Sequence, residues 1–248
     1  MMNKIILSAF AVLFSTVAFT QEKRITDNNT IGWFVYTGTF KVKPRLAIHT
    51  EYQWRRDNAV TNWQQGLFRT GINYSLHKDV NIIVGYAHAQ TFSYGDYPAA
   101  FAFPEHRIFE QAIIKNPVGK VNLSHRFTFE QRFVGKVTMP AGRKTTNYSY
   151  MNRVRYRFRA EVPVYKNNLS FILQDEVFVG WGKNVGANVF DQNRINLLLG
   201  YKLNDMVKLE AGYINQALQQ ASRVNNNPVF QNNNGFVLAA NLSLNLIN

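Results

Sequence analysis

Cysteine is absent from the 248 residues, which excludes a disulfide scaffold, a zinc finger and a thiol nucleophile. A membrane-spanning helix is missing too. The longest apolar run, Ile5 to Phe14, falls well short of the ~20 residues such a helix needs. Acidic side chains are scarce, 15 against 28 Lys and Arg, so the formal net charge is +13. That balance commonly points to nucleic acid, but the N-terminus points elsewhere. What is abundant is apolar and aromatic: 46% hydrophobic residues with 19 Phe, 12 Tyr and 4 Trp, too many for a disordered chain and enough for one sizeable domain.

Lys4 is the only charge before Glu22, and it precedes the apolar run and the small or polar residues Ala18, Thr20 and Gln21. This is the pattern of a secretory signal peptide over residues 1–20, leaving an exported chain of residues 21–248 with no helical anchor. Export removes nucleic acid from the expected partners. With no Cys after the apolar run, lipid anchoring at a cysteine is excluded as well.

Period two dominates the rest. In RLAIHTEYQWRR, Leu46, Ile48, Thr50, Tyr52 and Trp54 alternate with Ala47, His49, Glu51, Gln53 and Arg55. In YSYMNRVRYRFRAEV, Tyr148, Tyr150, Val154, Tyr156, Phe158 and Val162 oppose Arg153, Arg155, Arg157, Arg159 and Glu161. In NLSHRFTFEQRF, Leu123, Phe127, Phe129 and Phe133 oppose Arg126, Glu130 and Arg132. Runs of this kind mark strands near 30–40, 45–56, 64–76, 80–93, 105–115, 121–134, 148–162, 169–181, 191–203, 206–218 and 235–247. No intervening stretch has helical periodicity. Short connections, such as His77-Lys78-Asp79, take turns with longer ones around 57–63, 94–104, 135–147, 182–190 and 219–234.

Two folds fit alternation: a soluble sandwich or lipocalin-like barrel, and a transmembrane antiparallel up-and-down β-barrel. Strands of about 12 residues rise about 40 Å, or about 30 Å after tilt, enough to cross the ~25 Å apolar band of an outer membrane. The bulky apolar faces are too many for the inside of a small barrel. Aromatics gather at strand ends, among them Trp33, Trp54, Trp63, Tyr94, Phe103, Tyr148 and Trp181, as two interfacial girdles require. The sequence therefore predicts an all-β transmembrane barrel of 10–12 strands. Eleven runs are visible; a first strand hidden in Lys23 to Asn29 would make twelve, and one split in error would make ten.

Several segments resemble an outer-membrane family called domain of unknown function 2490. They are the Trp33 strand and the strand ending in Tyr52, Gln53, Arg55 and Arg56; PEHRIFEQ at Pro104 to Gln111; and HRFTFEQRF from His125 to Phe133, followed by the Arg-rich strand. The resemblance spans nearly all of residues 21–248 and implies a Gram-negative barrel of about this size, with no assigned activity, substrate or cofactor. Its expected partners are outer-membrane lipid, lipopolysaccharide and the barrel-assembly machinery. The chain ends Leu246, Ile247, Asn248 instead of on the usual aromatic residue.

Four guanidiniums on one strand face, Arg153, Arg155, Arg157 and Arg159, form the most distinctive constellation, with Arg126, Glu130 and Arg132 on the preceding strand and Gln174 and Glu176 on the next. On the lipid side each Arg would cost about 2–4 kcal/mol at the midplane, so these residues and Glu161 should line the lumen. The first reading is a structural Arg/Glu lattice filling a narrow barrel; the second is an anion-preferring passive pore. A hydrolase at the extracellular rim is the alternative, with Asp96, Glu105 and His106 as its candidate acid and base groups. The five histidines form no close pair along the chain, so no metal site is indicated, nor any cofactor. Ser124 and His125 fall on opposite faces of one strand and cannot work together there. The tract NNNPVFQNNN, from Asn225 to Asn234, is expected to be a mobile surface loop.

Overall fold

The computed structural model describes residues 24–165 and 168–247, so the expected signal peptide lies outside the described residues. Eleven strands follow one another: β1 Ile25–Lys43, β2 Leu46–Asp57, β3 Asn62–His77, β4 Val80–Thr91, β5 Phe103–Val118, β6 Val121–Thr138, β7 Thr145–Tyr165, β8 Leu169–Trp181, β9 Phe190–Lys202, β10 Val207–Val224 and β11 Asn227–Asn245. Each pairs antiparallel with its chain neighbour, and β1 closes the cylinder against β11. That last pair is parallel, running in register from Ile25–Val229 to Lys41–Asn245. An odd number of up-and-down strands leaves the first and last pointing the same way, so closure by a parallel ladder follows from the count. The described chain therefore starts at the end that carries the β2–β3 loop and finishes at the end that carries the β1–β2 turn.

Residues Ile25 to Asn29 are not a separate strand. They extend β1 and pair with β11 alone, because β2 begins its pairing at Ile31. Among the described residues the closed barrel therefore has eleven strands.

The burial pattern is inverted relative to a soluble protein. Ile72 is 60% exposed, Leu199 55% and Val84 51%, while Glu130 is 1% exposed and Arg153 and Arg69 are 3%. Large apolar side chains stand exposed on the outside of β2 through β11, well beyond the few hundred Å² a soluble surface tolerates. Charged groups fill the interior. This arrangement is stable only with hydrocarbon around the cylinder, and strands of 12 to 21 residues are long enough to cross it.

Two expectations about loops are corrected. The Asn-rich tract is almost entirely strand: β10 and β11 meet in a two-residue turn at Asn225 and Asn226, whose φ values of 48° and 62° mark a type I′ hairpin. Asparagines fall on both faces of this hairpin, so the period of two does not show as an apolar–polar alternation there. Second, Trp33, Tyr94 and Phe103 do not sit on the outer girdle. Trp33 is 4% exposed and packs inside against Ile31, Ile172, Leu198, Ile214 and Val237, and the other two line the interior cavity. The outer cluster at this end is built by Phe34, Trp54, Trp63, Phe92 and Phe236.

Candidate functional site

Period two on β5 to β9 sends one polar residue inward every second position, and the register stacks these into a wall of ion pairs. Glu130 on β6 lies opposite Arg153 on β7, and Glu176 on β8 opposite Arg157. Glu130 accepts from Arg153 at 2.7 Å and from Arg155 at 2.8 Å, with Arg107 4.0 Å away. Glu176 accepts from Arg155 at 2.9 Å and from Arg126 at 2.8 Å. Towards the loop end, Glu105 receives Arg107 at 2.7 Å and Arg132 at 2.5 Å, and Asp191 receives Arg153 at 2.6 Å. Towards the short-turn end, Arg159 bridges Glu161 at 2.9 Å and Glu210 at 2.6 Å, with Lys208 on Glu161 at 2.6 Å.

The guanidinium planes also lie on buried rings. Arg69 sits 4.2 Å above Phe109, and Arg155 and Arg194 each 4.6 Å from the centre of Phe178. Arg suits this place because its weakly hydrated plane can stack while its edge donates to carboxylates. Room for Phe109 comes from Gly85: a Cβ there would stand 2.7 Å from the Phe109 ring and 2.2 Å from the Thr70 carbonyl oxygen of β3.

Two cavities lie within the lumen formed by the described residues. A space of about 570 Å³ opens towards the loop end, and one of about 150 Å³ lies below it; both are lined by Glu51, Gln53, Arg155 and Arg194. These four side chains belong to the mid-height layer that separates the two spaces. Eleven cations line the pair of cavities, namely Arg55, Arg69, Arg107, Arg126, Arg132, Lys136, Arg153, Arg155, Arg157, Arg159 and Arg194, against the five carboxylates Glu51, Glu105, Glu176, Asp191 and Glu210. Adding the paired Glu130 and Glu161 still leaves positive charge in excess.

Over the upper cavity the β4–β5 loop, residues 92–102, folds inward. The Tyr94 hydroxyl donates to Gln231 at 2.7 Å, the Asp96 backbone N–H donates to Asp27 at 3.3 Å, and Gln220 on β10 donates to the Tyr97 carbonyl at 3.0 Å. Burial pushes the Tyr94 phenol up from its ordinary range, so it remains a donor. Gly95, at φ 77°, allows the turn, since a Cβ there would stand 2.4 Å from the Asp27 carboxylate.

The lattice residues expected from the sequence are thus brought together, Arg157 excepted. It faces Arg126 and Glu176 in register, yet makes no ion pair among the described residues, and its Nε has no hydrogen-bond acceptor. The rim set Asp96, Glu105 and His106 is not assembled. Glu105 turns inward and is held by two arginines, whereas its neighbour His106 turns outward against Tyr86 at 2.5 Å and Tyr148 at 3.2 Å. Successive strand residues diverge, and that separates the proposed acid from the proposed base. The histidines do include one close pair after all: His88 and His106 face each other across β4 and β5 with ring centres 5.0 Å apart, a register the chain order does not display. Among the described residues no group of three or more ligating side chains forms. Not singled out from the sequence were Arg69, Arg107, Arg194 and Asp191; parity would have marked the three arginines, whereas Asp191 turns inward at a register shift of β9 against β8 that breaks the alternation.

A profile of proteins of unknown function, DUF2490, matches residues 30–227. The chain belongs to the DUF2490 family. Among solved structures, this DUF2490 chain is similar to one titled "NanC porin structure in rhombohedral crystal form", at 10% identity and a TM-score of 0.45, covering 78% of this chain and 88% of that one. A comparison with curated proteins finds no match.

Proposed function

We propose that this chain is an integral outer-membrane barrel acting as a narrow passive pore that prefers small anions, with the Arg/Glu layer at mid-height as its constriction. The observation that carries the reading is the excess of cations over carboxylates around both cavities. Guanidiniums stay charged at every physiological pH, so the wall keeps a fixed positive potential. The inverted burial and the N-terminal export pattern support placement in the outer membrane.

Cell fractionation with boiled and unboiled gel samples tests the placement: a heat-dependent shift in the membrane fraction is expected, and a soluble periplasmic protein without one overturns it. Planar-bilayer recording tests the pore. Small channels are expected whose reversal potential under a salt gradient reports anion preference, weakening as salt screens the wall. Changing Arg155 and Arg157 together to Ser should reduce that preference and raise the conductance. Cation selectivity refutes the positive lining, and a silent parent barrel refutes the pore in favour of a purely structural lattice.

A further inference from the structure

Most interior guanidiniums are committed to carboxylates. Arg55 is not. It is 7% exposed, lines the upper cavity and, among the described residues, donates only to the neutral amides Gln53 at 2.8 Å and Gln65 at 2.7 Å. Its plane rests 4.0 Å from the centre of the Trp33 ring, and Arg194 approaches the same ring at 4.9 Å. Arg107, Arg155 and Arg194 line the same cavity, and its carboxylate Glu51 is already engaged by Arg69 at 3.0 Å. A buried, unneutralised guanidinium among other cations is costly unless an anion completes it.

We infer that the upper cavity holds an oxyanion-binding site centred on Arg55, with Arg194 and Arg107 supplying the surrounding field. The ligand carries a carboxylate or phosphate group, which the guanidinium fork matches. At about 570 Å³ the cavity admits a small organic anion. Lys136 lies on the same cavity but is exposed, so it contributes attraction without enclosure. The inference rests on the positive lumen of the pore reading but not on conduction.

The test is calorimetric titration of the whole barrel in non-ionic detergent at low salt, with inorganic phosphate and, separately, with acetate. Saturable binding at one site per chain is expected, and the tighter probe identifies the head group. Arg55→Gln should weaken binding by about tenfold or more, and Lys136→Gln by less than about twofold. Arg55→Lys, which keeps the charge but loses the fork, should fall between wild type and Arg55→Gln. Heat-modifiability should match the parent in all three variants, and the Arg55→Lys result decides if Arg55→Gln fails to fold. Heat that rises without saturation, or equal weakening by Lys136→Gln and Arg55→Gln, would mean diffuse attraction and overturn the site. Bilayer recordings fail independently: a barrel that binds phosphate yet never conducts loses the pore and keeps the site.

Discussion

The two walls of this lumen are built from different chemistry. From β5 to β9 the inward groups are charged: carboxylates such as Glu130 and Glu176 each serve several guanidiniums. From β10 through β11 to β1, at the loop end, the inward polar groups are mainly amides, with the buried Asp27 as a carboxylate held by Gln231. Asn29 donates to Asn233 at 3.0 Å, Asn233 to Gln216 at 3.1 Å, and on the outer face Asn215 to Asn232 at 2.9 Å and Asn232 to Asn28 at 3.0 Å. The difference has a physical basis. An amide both donates and accepts, so a ladder of like residues satisfies itself across the parallel closing seam, whatever sits opposite. An ionic wall needs complementary residues at defined register, and it fixes a field that the amide wall lacks. Replacing a buried ion pair by apolar groups is often neutral, so the ionic wall is read as space filling and charge placement more than as a source of stability.

That contrast predicts unequal damage. Removing a shared carboxylate should be worst: Glu130→Ala takes one of two carboxylates from Arg153 and from Arg155, leaving Asp191 and Glu176 to hold them, and should cost about 3–5 kcal/mol, read from urea unfolding of the barrel in vesicles. A loss below about 1 kcal/mol would show that the charged wall is hydrated, erasing the distinction. On the amide wall, Asn233→Ala leaves Gln216 and Asn29 short of one partner each and should cost about 1–2 kcal/mol in the same assay. Removing an arginine that has no ion pair among the described residues should cost less again: Arg157→Gln should change the unfolding free energy by no more than about 1 kcal/mol, and a stabilisation would fit relief of its repulsion with Arg126, which faces it across β6 and β7. The smallest effect lies outside the lumen, in the β9–β10 turn. Lys202 donates to Asp205 at 2.6 Å and holds its carboxyl below the ordinary Asp value. A lowered carboxylate pKa gives support that is present above the unfolded value and lost as pH falls through the folded one. Asp205→Asn should remove that slight acid dependence together with the small support the pair gives at neutral pH, small because Asp205 is 95% exposed and solvent screens the charges.

Most of the framework was legible in the residues because the β period is exactly two-fold and each face of a transmembrane strand is uniform. RYRFR could only be a strand with one greasy and one charged side, and the cost of Arg in lipid decided which side faced in. Where both faces are polar the signal vanishes, and so Asn227 to Asn234 looked like a loop while forming the start of β11. The rim hydrolase set failed for the same period: Glu105 and His106 are adjacent in sequence and therefore opposite in space. Pairings between strands were illegible, because a register such as His88 with His106 or Glu130 with Arg153 depends on turns and bulges that no single strand records.

What the sequence determined by itself was the kind of object: alternating faces of sufficient length, closed into a cylinder with charge inside and hydrocarbon outside. What the tertiary structure decided was which charges cancel. Parity places a guanidinium in the lumen, but only the closed register brings Glu130 to Arg153 and Arg155 while leaving Arg55 and Arg157 without a carboxylate, because ion pairing acts over a few ångströms between strands far apart in the chain.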